Sequence, residues 1–270
     1  MAIQPSQPQG IGGVLDTAFH LYKSTLARVW PISLLLAIVS VVPGLYVLFA
    51  GMPTFDPQNP DIANPLAMYT PTFMLLSLIS GVVSMWVSGA MFLKQRAFGV
   101  DEELDTGAAF QLSLSRLPAL VGATIAYIIA LMVGLVLLVV PGLIVMLSLI
   151  MYMTLVLFDA RGPIDAIVGS HRLVWGNWWR TCAVLTVMGI LIVVIFIALG
   201  FVIGLAAPFA GFVLADIVMV VTIVQLVLNA AFYVVLGPFT SAVMIALYWD
   251  LKLRKEGGDL AARVSALSAA

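Results

Sequence analysis

The sequence predicts an all-α, polytopic membrane bundle, and three features carry that prediction: long apolar runs, scarce charge, and Lys and Arg confined to alternate joints. Of 270 residues, 63% are hydrophobic and 9% charged, against about 45–50% and about 25% in soluble domains. A mean hydropathy of +1.14 makes water a poor solvent for such a surface. The length would suit one or two soluble domains, but apolar runs consume nearly all of it. Residues 11–251 therefore read as one membrane domain, between a polar tail at 1–10 and a second tail at 252–270.

About 20 mostly apolar residues at 1.5 Å rise cross about 30 Å of hydrocarbon, where lipid offers backbone N–H and C=O groups no partner. Met1–Gly10 is rich in Gln and Pro and lacks a basic segment leading into an apolar one. It is not expected to be a cleavable signal, which leaves insertion to the first span. Six transmembrane helices are expected at about 31–50, 71–93, 117–140, 143–158, 181–205 and 223–249, the fourth short and extended by its neighbours. The last apolar run, 212–251, is too long for one upright span and barely long enough for two.

Charge decides between these. One crossing sets all 12 Lys and Arg on joints facing one side, opposite joints that carry Asp56 and Asp61. The positive-inside rule then puts both termini in the cytoplasm. Phe212 to about Thr222 is expected to lie in, or dip into, the outer interface, and Pro238 after Gly237 to kink the sixth span. Trp30, Trp175, Trp178, Trp179 and Trp249 flank the basic joints and read as interfacial anchors, ring in lipid and N–H in the headgroups.

An internal repeat underlies the spans. Asp16, Asp105 and Asp165 each lie 13 to 15 residues before Pro31, Pro118 or Trp178, where a membrane segment begins. Val-Val-Pro-Gly-Leu occurs at Val41–Leu45 and again at Val139–Leu143. Three parallel copies of one unit are expected, each an interfacial amphipathic helix on the cytoplasmic side followed by a transmembrane hairpin. The apolar faces would be Leu15, Phe19, Tyr22 and Leu26 in the first, Phe110, Leu114 and Leu117 in the second, and Ile164, Val168, Val174 and Trp175 in the third.

Chemistry-bearing residues are few. Cys182 has no partner for a disulfide, and Asp101, Glu102, Glu103 and Asp105 read as a solvated loop that favours a helix N-terminus. No phosphate loop and no zinc-protease spacing occurs, so no cofactor, metal or nucleic-acid partner is expected and no enzyme activity. One composite cluster at the inner interface remains conceivable: His20, Asp165, His171 and Arg172. Asp216 is the acid set within an apolar run. Thr222, Gln225, Asn229 and Tyr233 fall at i, i+3, i+7 and i+11, a polar stripe that must face protein or water. It reads as interhelical hydrogen bonding, or as a path for substrate or lipid headgroups. Gly122, Ala126, Ala130 and Gly134 form a small-residue packing seam on the third span, and Ser77, Gly81, Ser84 and Ser88 one on the second.

Four segments together, Ile11–Lys23 (IGGVLDTAFHLYK), Val140–Ile144 (VPGLI), Ala166–Val174 (AIVGSHRLV) and Ala246–Lys252 (ALYWDLK), resemble the glycerophosphoryl diester phosphodiesterase membrane-domain family over nearly the whole chain. The resemblance implies a stand-alone six-span domain of a bacterial inner membrane. It implies no phosphodiesterase activity, because the catalytic barrel is a separate soluble domain and only residues 252–270 follow Leu251. It brings no established functional residues, but it raises the expectation of a role with lipids or their breakdown products. The leading expectation is a non-enzymatic inner-membrane protein that binds or organises lipids or partner membrane proteins. The alternative is a transporter or channel for a neutral or lipid-like solute, and an embedded enzyme would require His20, His171 and Asp165 to converge.

Overall fold

The structure is a computed structural model that describes the backbone of residues 2–50, 70–211 and 217–268, and the side chains of these residues outside 202–222 and 258–268. The described elements run α1 (Ile11–Ala50), α2 (Pro71–Gly99), α3 (Thr106–Leu137), α4 (Val139–Leu149), α5 (Tyr152–Asp159), α6 (Pro163–Val174), α7 (Trp178–Gly211), α8 (Ile217–Ala231), a π-helical turn (Phe232–Leu236) and α9 (Gly237–Ser268). Strands are absent among the described residues. Six stretches are long and apolar enough to cross a membrane: Ile11–Ala50, Pro71–Gly99, Thr106–Leu137, Val139–Asp159, Trp178–Phe201 and Ile223–Gly257. The chain is a multi-pass integral membrane protein with an all-α bundle fold.

The first two interfacial helices do not stand apart from their spans. α1 passes through Pro31 and Pro43, and α3 through Pro118, without a break. A proline inside a helix lacks the N–H that would bond the carbonyl four residues back. At Pro43 that carbonyl belongs to Val39, and Ser80 of α2 donates its hydroxyl to it at 2.6 Å. The lost bond is thereby replaced across the α1–α2 interface, which is how membrane helices tolerate proline. Only the third unit keeps its separate helix. Pro163 sits in the first turn of α6, where a missing N–H costs nothing, and Gly176 takes φ +92° between α6 and α7, a conformation that favours glycine.

The amphipathic face of α1 differs from the expected one, whereas that of α6 departs from it only at the buried Val174. In α1 the residues turned inward are Val14, Ala18, Leu21 and Thr25, whereas Phe19 is exposed. This face packs on protein rather than lying on lipid, because α9 covers it. In α6 the expected face is exposed at Ile164, Val168 and Trp175, while the small residues Ala166, Gly169 and Ser170 are buried.

The helix that holds the sixth span begins earlier than expected. Ile217–Thr222, expected at the outer interface, is helical and continuous with it, and Phe212–Asp216 lie outside the described residues, as does the joint 51–69. The kink expected at Pro238 takes the form of the π turn just before it, in which Gly237 N–H bonds Phe232 O. One extra residue in the turn resets the helix where the proline ring would otherwise strike the preceding coil. The fourth span starts at Val139, earlier than 143, and is broken between α4 and α5 at Ile150–Met151.

Buried residues concentrate toward the end of the bundle that carries Lys and Arg. The main core joins Val14, Leu21, Phe92, Leu120, Val156 and a near-continuous run of α9 from Ala242 to Trp249. Trp249 is buried there and is no interfacial anchor, unlike the exposed Trp30, Trp175 and Trp179. A buried amide, Gln95, ties three helices: Nε2 donates to Thr25 Oγ1 and to Pro238 O, each at 3.1 Å, and Oε1 accepts from Ser241. The opposite ends of α1, α2, α3 and α7 expose large apolar side chains such as Phe49, Met74, Val136 and Ile197, as hydrocarbon-facing surface does.

The repeated Val-Val-Pro-Gly-Leu segment does the same packing work twice. A Cβ at Gly44 would strike Leu226 of α8, and one at Gly142 would lie 2.5 Å from Leu135 Cδ2 and 3.2 Å from Leu135 Cα. The third-span seam holds at both ends, where Gly122 meets Pro163 and Gly134 meets Gly142. The second-span stripe is different: Gly81 faces open space, and the contact with α1 runs through Ser80 one position earlier.

Candidate functional site

The basic end is knitted by cations resting on rings and carbonyls. The Arg28 guanidinium lies 4.4 Å from the Phe98 ring centroid and that of Arg96 5.3 Å from Phe158, while Arg116 donates to Val156 O at 3.0 Å. Between α5, α6 and α9 this end opens into a cavity of about 680 Å³. Its floor follows from helix periodicity, since Tyr248 and Lys252 are four apart on α9 and reach the same point. There Asp159, the last residue of α5, accepts from Tyr248 Oη at 2.7 Å and from Lys252 Nζ at 3.1 Å on Oδ1. Arg161 Nη2 stands 3.7 Å from Asp159 Oδ2, and Ala160 turns the chain at φ +55° between them.

Four permanent cations, Arg161, Arg172, Lys252 and Lys255, face two carboxylates, Asp159 and Glu256, in this cavity. Asp159 engages Arg161 and Lys252. Arg172 and Lys255 make no ion pair or hydrogen bond among the described residues. Arg172 is placed by the last turn of α6, where unsatisfied carbonyls favour a cation. His171 beside it is held against Trp175, ring centroids 4.9 Å apart.

A second cavity, of about 750 Å³, is largely apolar. Val140, Leu143 and Ile144 of α4 line it opposite Trp175 and Trp178–Arg180. Trp175 borders both cavities. The Trp178 indole N–H is buried away from this cavity and has no acceptor among the described residues. Arg180 is already engaged: its Nε lies 2.7 Å from Asp250 Oδ2, which also holds Arg254 Nε at 3.0 Å. Asp250 Oδ1 accepts the Gln9 N–H at 2.8 Å, and Gln9 O accepts from both guanidinium groups. The polar segment before α1 is thus pinned to the bundle, with the Ile3 and Gln4 amides bonded to Gly99 O as well.

Of the inner-interface cluster, the structure brings His171 and Arg172 to the basic cavity. Asp165 is exposed in the first turn of α6, and His20 is exposed on α1; neither lines either cavity. In the polar stripe, Asn229 Oδ1 accepts from Ser40 Oγ of α1 at 3.0 Å. Tyr233 packs against the Val29–Leu36 cluster and Gln225 is exposed. Asp216 and the side chain of Thr222 lie outside the described residues.

The acidic stretch before α3 has a structural use. Asp105 caps the helix by accepting from Gly107 N at 2.8 Å, and that hydrogen bond, with those from Thr106 and Ala108 and the charge of Lys94, holds its carboxyl below the ordinary value of 3.8. No three His, Cys, Asp or Glu side chains converge as metal ligands would among the described residues.

Sequence reasoning missed Asp159, Tyr248, Lys252, Lys255 and Asp250. The available signal was the spacing Tyr248/Lys252 and Asp250/Arg254, four residues apart at the end of a span. No family model, curated protein or solved structure matches the chain.

Proposed function

We propose that this chain is a non-enzymatic protein of a bacterial-type inner membrane, its basic end and both termini in the cytoplasm, that binds lipid there and so organises lipids or partner membrane proteins. The observation that carries the reading is the basic cavity, with Arg172 and Lys255 uncommitted, beside the exposed apolar face of α6 formed by Ile164, Val168 and Trp175. Uncommitted cations next to apolar surface suit the boundary where headgroups meet acyl chains. The gathering of basic residues at one end supports the orientation, and the resemblance to the phosphodiesterase membrane-domain family supports a role with lipids. The transporter alternative rests on the α8 stripe, where the Asn229–Ser40 bond speaks for helix packing instead.

The test is native mass spectrometry of the protein released from lipid nanodiscs. Lipid retained at fixed stoichiometry through mild activation is expected. A protein that emerges bare overturns the reading.

A further inference from the structure

We propose that the basic cavity and the apolar cavity beside it are two halves of one site for a diacyl lipid with an anionic phosphate headgroup. This rests on the lipid-binding reading above and adds which lipid binds and how.

Two observations carry it. The first is charge: four basic side chains against two carboxylates leave an excess positive field, and Arg172 and Lys255 have no ion-pair partner among the described residues. A phosphate between Arg172 and Lys255 would take charge-assisted hydrogen bonds that nothing in the described fold supplies. A zwitterionic headgroup would bring its own cation into the same field. The second is adjacency: Trp175 lines both cavities, so the two lie side by side at the end of α6. The cavity it enters is lined on the α4 side by Val140, Leu143 and Ile144, positions covering somewhat more than one helical turn. That lining offers an acyl chain contact along its length.

The lipid thus lies with its phosphate on Arg172 and Lys255, its ester region beside Trp175 and one chain along α4. Arg180, although it borders the apolar cavity, is held by Asp250 and contributes no free charge.

The experiment is native mass spectrometry of the full chain from nanodiscs of equal phosphatidylglycerol and phosphatidylcholine. Wild type should retain phosphatidylglycerol in preference. Arg172→Gln with Lys255→Gln, both exposed and unpaired, should still retain lipid but lose about tenfold of that preference, the scale of one charge-assisted bond. Ile144→Trp, which fills the apolar cavity from a partly exposed position, should lower total retention while thermal unfolding stays as in wild type. Glycerol 3-phosphate at millimolar concentration should not displace the lipid, since it lacks the chain. Equal retention of the two lipids by wild type overturns the anionic site and leaves the lipid-binding reading standing. An unchanged preference in the double variant also overturns it, as does displacement by glycerol 3-phosphate. Wild type that retains no lipid overturns both.

Discussion

Arg180 and Asp250 meet at 2.7 Å although they are 70 positions apart, one at the start of α7 and the other on α9. Asp250 is fully buried and has further partners in Arg254 and the Gln9 amide. A buried carboxylate is tolerable only with charges and hydrogen bonds of this completeness. The same carboxylate fixes where α7 joins the bundle and where the segment before α1 lies.

Asp250→Ala should therefore act at a distance. Two guanidinium groups lose their counter-charge, which costs about 3 kcal/mol where such a pair is buried. Thermal unfolding in detergent should fall accordingly. Amide exchange at Ile3 and Gln4, far from the substitution in sequence, should speed up as the strap releases. Unchanged exchange at those two amides would show that the strap is held independently of Asp250.

The Ser80–Val39 bond exists because Pro43 has no N–H to give. Ser80→Ala should destabilise by about 1 kcal/mol, leaving a buried carbonyl unpaired. In a Pro43→Ala background the regained N–H can bond Val39 O, so the same substitution should cost less. A double-mutant cycle on unfolding free energy measures this. Strict additivity would sink the account.

Gln95 satisfies groups on α1 and α9 from α2. Gln95→Leu leaves the Ser241 and Thr25 hydroxyls without it and should cost about 1–3 kcal/mol. Gln95→Glu should be worse, because Pro238 O would then face a carboxylate that, when ionised, has nothing to donate. Chemical denaturation of both variants gives the comparison, and a milder Glu variant would refute it.

The Asp105 cap makes a pH-dependent contribution with a defined sign. Its carboxyl titrates lower in the folded protein than in the unfolded chain. The cap therefore stabilises fully above the ordinary value of 3.8 and is lost as pH falls through the lowered folded value. Asp105→Asn caps without titrating. Acidification from pH 6 to pH 3 should lower the unfolding temperature of wild type more than that of the variant, and parallel curves would contradict the assignment.

Span number and type were legible in the sequence because hydrophobicity is summed over some twenty neighbouring residues and needs no knowledge of partners. The position of Pro238 marked where the last helix would be irregular, for the same local reason. Leu15 and Tyr22, in contrast, were read as part of a face lying in the headgroups and pack against the core instead, because periodicity finds an apolar stripe but not which neighbour covers it. His20 and Asp165 were grouped with His171 and Arg172 by residue type and by their place at the inner interface, yet both are exposed and neither lines the basic cavity.

By itself, then, the sequence determined that this protein is an α-helical membrane bundle with six crossings and its cations at one end, since burial in lipid and charge at its edge are properties of segments. Only the tertiary structure decided that Asp250 binds Arg180, that Gln95 bridges α1 to α9, and that Trp175 stands between a basic and an apolar cavity. Each of these depends on the rotation and tilt of helices distant in the chain. A few degrees of either moves a side chain by more than a hydrogen bond allows, and no local pattern encodes that.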